Sequence, residues 1–205
     1  MFDVSAHDES YLLFFLKGAY TEMTKQGLLI IDVQNDYFEN GKMPLHNPDE
    51  ALAHINLLER WFHEEDLPVF YIQHIFPNDD AAFFVHDTEG VQLNPQLKRY
   101  EQDPVITKQT PNSFFQTELA TLLDENDVTD LVITGMMTHL CVDSTTRAAK
   151  ELGYQSTLIH DATTTRGLSL NNQTVAPEDV QNAFISSLSN FAEIQSTNQF
   201  LSKQQ

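Results

Sequence analysis

Three residues whose side chains cooperate in covalent catalysis each follow a short apolar run of the chain. They are Asp32, Lys108 and Cys141, and the runs that precede them cover residues 28–31, 105–107 and 131–134. Each run has the pattern of a buried strand. Ligands of an open parallel sheet bind beyond the carboxyl ends of its strands, so we expect these three side chains to converge at one edge of a sheet.

Cys141 is the one cysteine of the chain, and its predicted surroundings suit a nucleophile. A thiol is mostly protonated at neutral pH, but a helix N-terminus and a nearby cation favour the thiolate, and a carboxylate can accept the proton. Lys108 and Asp32 would supply the cation and the carboxylate, and residues 135–140 would supply backbone N–H groups for an oxyanion. Taken singly, the three also have ordinary interpretations, as a buried apolar cysteine, a turn aspartate and a solvated lysine.

The elements that must position these residues alternate between apolar runs and helical stretches from Gln26 onward. This alternation predicts an α/β fold, a three-layer α/β/α sandwich around a mostly parallel sheet of five or six strands. The predicted strands cover residues 27–33, 67–72, 104–107, 131–134 and 154–159, with a sixth at 191–195. The predicted helices cover residues 48–66, 113–126, 140–152 and 177–190.

Local signals support several of these boundaries. Ser113 and Gln116 have the spacing of a capping box that opens a helix, and Gly153 stands where a left-handed cap ends one. Residues 73–101 show no lasting period, so we expect a long excursion of the kind that carries function. Residues 163–173 have the composition of a polar loop.

Composition limits the partners of the chain. The 30 acidic residues against 11 basic ones give a net charge of -19, which disfavours binding to nucleic acid or to an anionic membrane. A lone cysteine favours a reducing compartment, and we expect the cytoplasm. The apolar run at residues 11–16 is too short for a membrane span and lacks the features of a signal peptide, so it is either an arm that packs on a partner subunit or the result of a start site upstream of Met23.

Three segments, in order, resemble the isochorismatase-like cysteine hydrolase family. In the first, residues 28–38, the strand-ending Asp32 is followed by a glutamine and then by Phe38. The second is residues 105–108 with Ser113 and Phe114 close behind, and the third is residues 132–142 with its continuation to Tyr154. The resemblance covers about residues 26–195, and it predicts a hydrolase domain at residues 26–205 after an N-terminal extension of residues 1–25.

The resemblance also implies which residues form the site. An Asp–Lys–Cys triad falls on Asp32, Lys108 and Cys141, and a cis peptide falls between Met136 and Met137. The oxyanion hole would be formed around Met136, Met137, Leu140 and Cys141. The substrate pocket candidates are Gln34, Phe38, His74, Phe114, Thr138 and His139, although either histidine could instead satisfy a backbone carbonyl. Relatives of this kind imply a homodimer or a larger homo-oligomer.

Two departures from the family narrow the expected chemistry. Isochorismatases proper often lack the cysteine, so Cys141 favours hydrolysis of a small amide or related C–N substrate through a thioester. The nicotinamidase branch carries an Asp-x-His element for a metal, and none occurs between Phe38 and Leu67, so we predict no metal and no cofactor. Two alternatives stay open: a vinyl-ether hydrolase with Asp32 as acid, and a non-catalytic binding or redox-responsive protein.

Overall fold

Six parallel strands form the central sheet. The computed structural model describes residues 24–204, so most of the predicted N-terminal extension, with its apolar run, lies outside the described residues. The strands are β1 (Gln26–Ile31), β2 (Val69–His74), β3 (Val105–Lys108), β4 (Asp130–Met136), β5 (Gln155–Thr164), β6 (Leu168–Leu170), β7 (Gln173–Val175) and β8 (Glu193–Gln195). Their order across the sheet is β3-β2-β1-β4-β5-β8, while β6 and β7 form a separate antiparallel hairpin.

Helices cover both faces of this sheet. They are α1 (Pro48–Glu64), α2 (Leu119–Glu125), α3 (Asp143–Glu151), α4 (Pro177–Leu188) and α5 (Thr197–Lys203), with 3₁₀ turns at Asn35–Tyr37 and Glu89–Val91 and a π-helical turn at Thr138–Val142. Among residues 24–204, no helix combines the length and apolarity that a membrane crossing requires.

The alternation of side chains along β1 shows how the layers form. Leu28 and Ile30 pack into one core cluster together with residues of α1 and α5. Leu29 and Ile31 point the other way, into a second cluster with residues of α2, α3 and α4. Successive side chains of a strand face opposite sides, so a strand apolar at every position is covered on both faces. The predicted three-layer α/β/α fold with a mostly parallel sheet is confirmed, with six strands.

The strand order reverses between β1 and β4, which lie side by side. From β1 the chain proceeds outward through β2 and β3, and from β4 it proceeds in the other direction through β5 and β8. The connections at such a switch point diverge and leave a crevice at the carboxyl ends of the strands. Asp32 directly follows β1 and Cys141 follows β4, so both flank this crevice.

The helix predicted from Ser113 begins only at Leu119, which makes the predicted capping box wrong. The Ser113 hydroxyl instead accepts a hydrogen bond from Thr145 Oγ1 at 2.9 Å, and the Ser113 amide donates to the same oxygen at 3.0 Å. Gln116 has a φ of 56°, in the left-handed region, so the backbone cannot be helical there. A tertiary contact with α3 has replaced the local cap.

The C-terminal half departs from the predictions in three places. The region predicted as a polar loop, residues 163–173, contains the end of β5 and most of the β6–β7 hairpin. The helix α5 was not predicted, although Ser196 and Gln199 form a capping box, with Ser196 Oγ accepting from the Gln199 amide at 3.2 Å and Gln199 Oε1 accepting from the Ser196 amide at 2.8 Å.

The predicted helix at 140–152 is split into the π-helical turn and α3, whereas Gly153 has the expected left-handed φ of 97°.

Gly135 lets β4 approach β1 directly behind the site. Its φ is 114°, and a Cβ at this position would lie 2.1 Å from the carbonyl oxygen of Ile31, the residue before Asp32. Any side chain would therefore push β4 away from β1, and with it the turn that carries Cys141.

Replacing Gly135 with alanine should therefore destabilise the protein far more than the same change at Gly153. Both glycines have positive φ, so both alanines carry a backbone penalty of about 1–2 kcal/mol. Only at Gly135 does the new Cβ also collide with backbone, since nothing lies within 4 Å at Gly153. We expect Gly135→Ala to lower the free energy of unfolding by at least about 3 kcal/mol in chemical denaturation. Equal losses in the two variants would contradict this role of the close approach.

Candidate active site

A buried ion pair joins the ends of β1 and β3. Lys108 Nζ lies 2.9 Å from Asp32 Oδ2, and neither side chain is exposed to solvent. The ammonium also donates to the Pro111 carbonyl at 2.9 Å, and the Asp32 amide donates to the Ile72 carbonyl of β2 at 3.0 Å. These contacts fix the carboxylate and the ammonium in place although their strands are separated by β2.

Both members of this pair are charged at neutral pH. Burial alone would raise the pKa of Asp32, but the Lys108 cation, and after it the His74 imidazole at 3.8 Å, outweigh burial and hold that pKa below its ordinary range. Burial alone would lower the pKa of Lys108, but the Asp32 carboxylate outweighs it and raises that pKa. Each charge is therefore kept by the other, because neither could stay ionised alone in a site without water.

Cys141 lies on the π-helical turn that follows β4, and 1% of its surface is exposed. Its Sγ lies 3.8 Å from His74 Nδ1 and within 4.8 Å of an Asp32 carboxylate oxygen. Burial and then the Asp32 carboxylate raise the pKa of the Cys141 thiol well above its ordinary value, and Lys108 reverses this only in part. The lowered thiol pKa that a nearby cation favours is therefore not found, because burial of the sulfur outweighs Lys108.

One of the predicted oxyanion donors is engaged by a hydrogen bond within the turn around Cys141. The Met136–Met137 peptide is cis, and both methionines are buried. The Leu140 amide donates to the Met137 carbonyl at 3.0 Å, so this amide is engaged and does not match the oxyanion role predicted for it.

His74 ends β2 between the other three groups, and Gln34 holds its backbone. The Gln34 amide group donates to the His74 carbonyl at 2.9 Å, and its oxygen accepts from the His74 amide at 2.9 Å. Its second N–H donates to the Val91 carbonyl at 2.7 Å. The prediction that Gln34 faces substrate is therefore corrected: backbone groups satisfy its amide, and it ties β2 to the long excursion.

The remaining pocket candidates occupy different surroundings. Thr138 and Phe38 are buried, and Phe114 is partly buried and stacks on Tyr154 with ring centroids 5.7 Å apart. His139 is half-buried, and its Nδ1 hydrogen-bonds the Thr165 hydroxyl rather than a backbone carbonyl. Burial and the Arg166 cation lower the pKa of His139. In these contacts, no polar atom of the four residues touches Asp32 or Lys108.

Sequence reasoning missed the aromatic residues packed beside the site. His74 lies under Phe76, with ring centroids 4.4 Å apart, and Tyr37 packs against Phe84 at 4.5 Å. Burial, and then the neighbouring Cys141 and Asp32, raise the pKa of Tyr37. The signal was present in the sequence as aromatic residues clustered at 37–38 and at 76–84, but aromatic runs are more often core.

A cleft next to Lys108 has the size of a small-molecule site. It measures about 340 Å³ and is lined by Ile75, Thr107, Lys108, Thr110, Phe115 and Gln116, among others. A second cleft of about 280 Å³, between the first turns of α1 and α4, is not lined by Asp32, Lys108 or Cys141. The first cleft lies beside Lys108 but, like the second, is lined by neither Asp32 nor Cys141.

Donor atoms of Asp32, His74 and Cys141 lie within 4.8 Å of one another, as in sites that bind a metal ion. The carboxylate of this set, however, is already neutralised by the Lys108 ammonium at 2.9 Å. A bound dication would have to share Asp32 with that buried ammonium, and the repulsion between them opposes binding. The arrangement fits proton transfer better than metal binding.

Comparison with known proteins identifies the family. The model of the isochorismatase domain matches residues 26–199. The chain belongs to the isochorismatase family. It is 42% identical over 175 residues to YddQ, an uncharacterized isochorismatase family protein of Bacillus subtilis (strain 168), a match that covers 85% of this chain and 97% of YddQ. The nicotinamidase of Escherichia coli (strain K12) is 24% identical over 200 residues, which cover 80% of this chain and 91% of that enzyme.

The fold of this isochorismatase-family chain also matches a solved relative. A crystal structure from Oleispira antarctica, assigned to the isochorismatase hydrolases, superposes with a TM-score of 0.85 at 37% identity. The match covers 89% of this chain and 98% of that one. Members of the family are hydrolases, amidases among them, and this chain is accordingly a hydrolase.

Replacing Lys108 with methionine should strip the buried Asp32 carboxylate of its cation. Methionine keeps much of the volume of lysine, so the loss reports on the charge. We expect a fall of about 3–5 kcal/mol in the free energy of unfolding at neutral pH, measured by chemical denaturation. The matched control Lys150→Met changes an exposed lysine at the end of α3 and should alter stability by no more than about 0.5 kcal/mol.

The loss in Lys108→Met should also depend on pH. The pKa of Asp32 is lowered in the folded protein, so the pair contributes stability above the ordinary range of an aspartate, and that contribution is lost as the pH falls through the lowered pKa. In the variant, acid neutralises the orphaned carboxylate. The stability difference between the two proteins should therefore shrink from neutral pH toward about pH 3. A difference of constant size across this range would contradict the buried ion pair as its cause.

Proposed function

We propose that this isochorismatase-family hydrolase cleaves a small amide or related C–N substrate, with Cys141 as the nucleophile and Asp32 and Lys108 as the other members of the triad. The observation that supports this most is the meeting of the Cys141 sulfur with the buried Asp32–Lys108 pair at the switch point of the sheet. An ion pair of this kind has no structural need to lie next to a thiol, whereas a cysteine hydrolase needs both.

In the proposed cycle the thiol loses its proton as the sulfur attacks the carbonyl carbon. The sequence-derived scheme gives this proton to Asp32, whose oxygen lies within 4.8 Å of the sulfur. The amide of Cys141 itself stabilises the oxyanion. The leaving amine takes that same proton and departs, which leaves a thioester that water then hydrolyses by the reverse route. Lys108 holds Asp32 as a carboxylate until the proton arrives.

The kind of bond is inferred from the relatives. The nicotinamidase of Escherichia coli, whose match to this chain covers 91% of its own length, is named for an amide. This relative supports C–N hydrolysis here. The excursion between β2 and β3 begins directly beside the site, after His74. We expect it to determine the selectivity between substrates.

Asp32 as the acid of a vinyl-ether hydrolase is less well supported. A general acid must hold a proton at the working pH, whereas the Lys108 cation keeps the pKa of Asp32 below its ordinary range. The non-catalytic alternative is favoured by one observation, the burial of Cys141 with a raised thiol pKa, because inert structural cysteines share these properties. The experiment below separates all three.

The proposal also covers the location of the enzyme in the cell and its oligomeric state. We place it in the cytoplasm, since its lone cysteine suits a reducing compartment, and we expect a homodimer or a larger homo-oligomer. Residues 26–205 form the proposed hydrolase domain, after an extension of residues 1–25.

A panel of small amides, ureides and isochorismate, screened with the full chain, should reveal turnover of an amide or ureide. Cys141→Ala should lose at least about 10⁴-fold in kcat/KM on that substrate, because the covalent route disappears. Mass spectrometry of the wild type, quenched during turnover, should show an acyl adduct on Cys141. Full activity of Cys141→Ala on isochorismate would favour Asp32 as acid, and no turnover or adduct with any compound would favour the non-catalytic alternative.

A further inference from the structure

His74 occupies the centre of the site, and the proposed triad leaves it without a role. It ends β2, the strand between those that carry Asp32 and Lys108, and in the sheet register it lies directly opposite Lys108. Its Nδ1 lies 3.8 Å from Cys141 Sγ and also 3.8 Å from Asp32 Oδ2. One nitrogen atom is therefore shared by the nucleophile and by the carboxylate.

The imidazole is held in this position from two sides. Gln34 bonds both the amide and the carbonyl of His74 at 2.9 Å, which fixes its backbone. The ring of Phe76 packs against the imidazole, with centroids 4.4 Å apart, and 3% of the histidine is exposed. Its Nε2 is buried and has no hydrogen-bond partner among residues 24–204. A buried histidine kept for packing alone would be expected to satisfy that nitrogen.

The state of the other groups leaves the sulfur in need of a base. The charged groups around His74 are Asp32, which follows β1, and Lys108 on β3, with the Cys141 thiol on the turn after β4. Asp32 is held as a carboxylate by the ammonium at 2.9 Å and is a weak proton acceptor for that reason. The thiol is protonated in the free protein. An imidazole both accepts and releases a proton near neutral pH, which makes it the suitable base.

We propose that His74 is a fourth catalytic residue, which takes the proton from the Cys141 thiol and delivers it to the leaving group. This inference rests on the proposed function and assigns the proton route within it. As the S–H bond breaks, an N–H bond forms at Nδ1 and the sulfur bonds to the carbonyl carbon. As the C–N bond breaks, the Nδ1 proton passes to the departing nitrogen.

The second half of the cycle returns the site to its starting state. A water molecule gives a proton to Nδ1 while its oxygen attacks the thioester carbon. The C–S bond then breaks, and the Nδ1 proton passes back to the sulfur as the acid product leaves. Asp32, 3.8 Å from Nδ1, stabilises the imidazolium in both halves by its negative charge. Its role is then to position and stabilise the base, with Lys108 keeping it ionised.

The rate at which iodoacetamide alkylates the full-length wild type tests this without a known substrate. Cys141 is the one cysteine of the chain, so the label reports on it alone. If His74 assists the sulfur, the wild type should already be alkylated rapidly at neutral pH, where an unassisted thiol of raised pKa reacts slowly. A rate that rises only in the alkaline range of an unassisted thiol would overturn the proposal, even if no variant of His74 folds.

Two variants of the histidine make the test specific. In His74→Asn and His74→Gln, checked for folding by thermal unfolding, the alkylation rate at neutral pH should fall about tenfold or more. The control His160→Asn changes an exposed histidine on β5 and should label as the wild type does. A folded His74 variant with the rate and pH profile of the wild type would overturn the proposal.

The outcomes for His74 and for the proposed function can be told apart. If acyl adducts on Cys141 form in the wild type while His74 variants label normally, covalent catalysis stands and Asp32 is the acceptor. If His74 assists labelling but no adduct forms with any compound of the panel, the base is present and the proposed substrate class is wrong.

Discussion

The buried ion pair between Asp32 and Lys108 is the interaction on which the rest of the site depends. Two charges fully removed from water are stable only next to each other, and here they are contributed by strands that do not touch. The pair forms because β2 lies between β1 and β3 and pairs with both strands. This pairing also brings His74, at the end of β2, between Asp32 and Lys108. The same arrangement of strand ends therefore stabilises the ion pair and brings the reactive side chains together.

Two other buried carboxylates show what distinguishes Asp32. Glu59 accepts from the Tyr71 hydroxyl at 2.5 Å and from the Lys98 amide, and Asp36 accepts from the Phe84 amide at 2.7 Å and from the Lys42 amide. Hydroxyl and backbone donors satisfy both, and both fasten parts of the excursion to the core. Asp32 instead faces an ammonium, an imidazole and a thiol, while its Oδ1 has no partner within residues 24–204. Its charge is available to a reaction.

Burial sets the conditions for that reaction. Around Cys141 the exclusion of water keeps the sulfur protonated at rest, and it also strengthens every charge interaction that forms once a proton moves. A nucleophile of this kind has to be generated during attack, by a base already in contact with it. The close placement of an imidazole and a carboxylate beside the thiol meets this need, and Phe76 of the excursion packs against that imidazole.

The sequence by itself determined the six strands of the central sheet, the alternation of layers and the places where Asp32, Lys108 and Cys141 leave the sheet, because apolar runs and their polar ends are local features. It could not determine which Ser-x-x-Gln segment caps a helix: the one at Ser196 does, whereas at Ser113 a contact with Thr145 prevents it. It also could not show that Gln34 serves the backbone of His74, or that Cys141 rests as a thiol. Hydrogen-bond partners and burial are set by residues far apart along the chain, and only the tertiary structure brings them together.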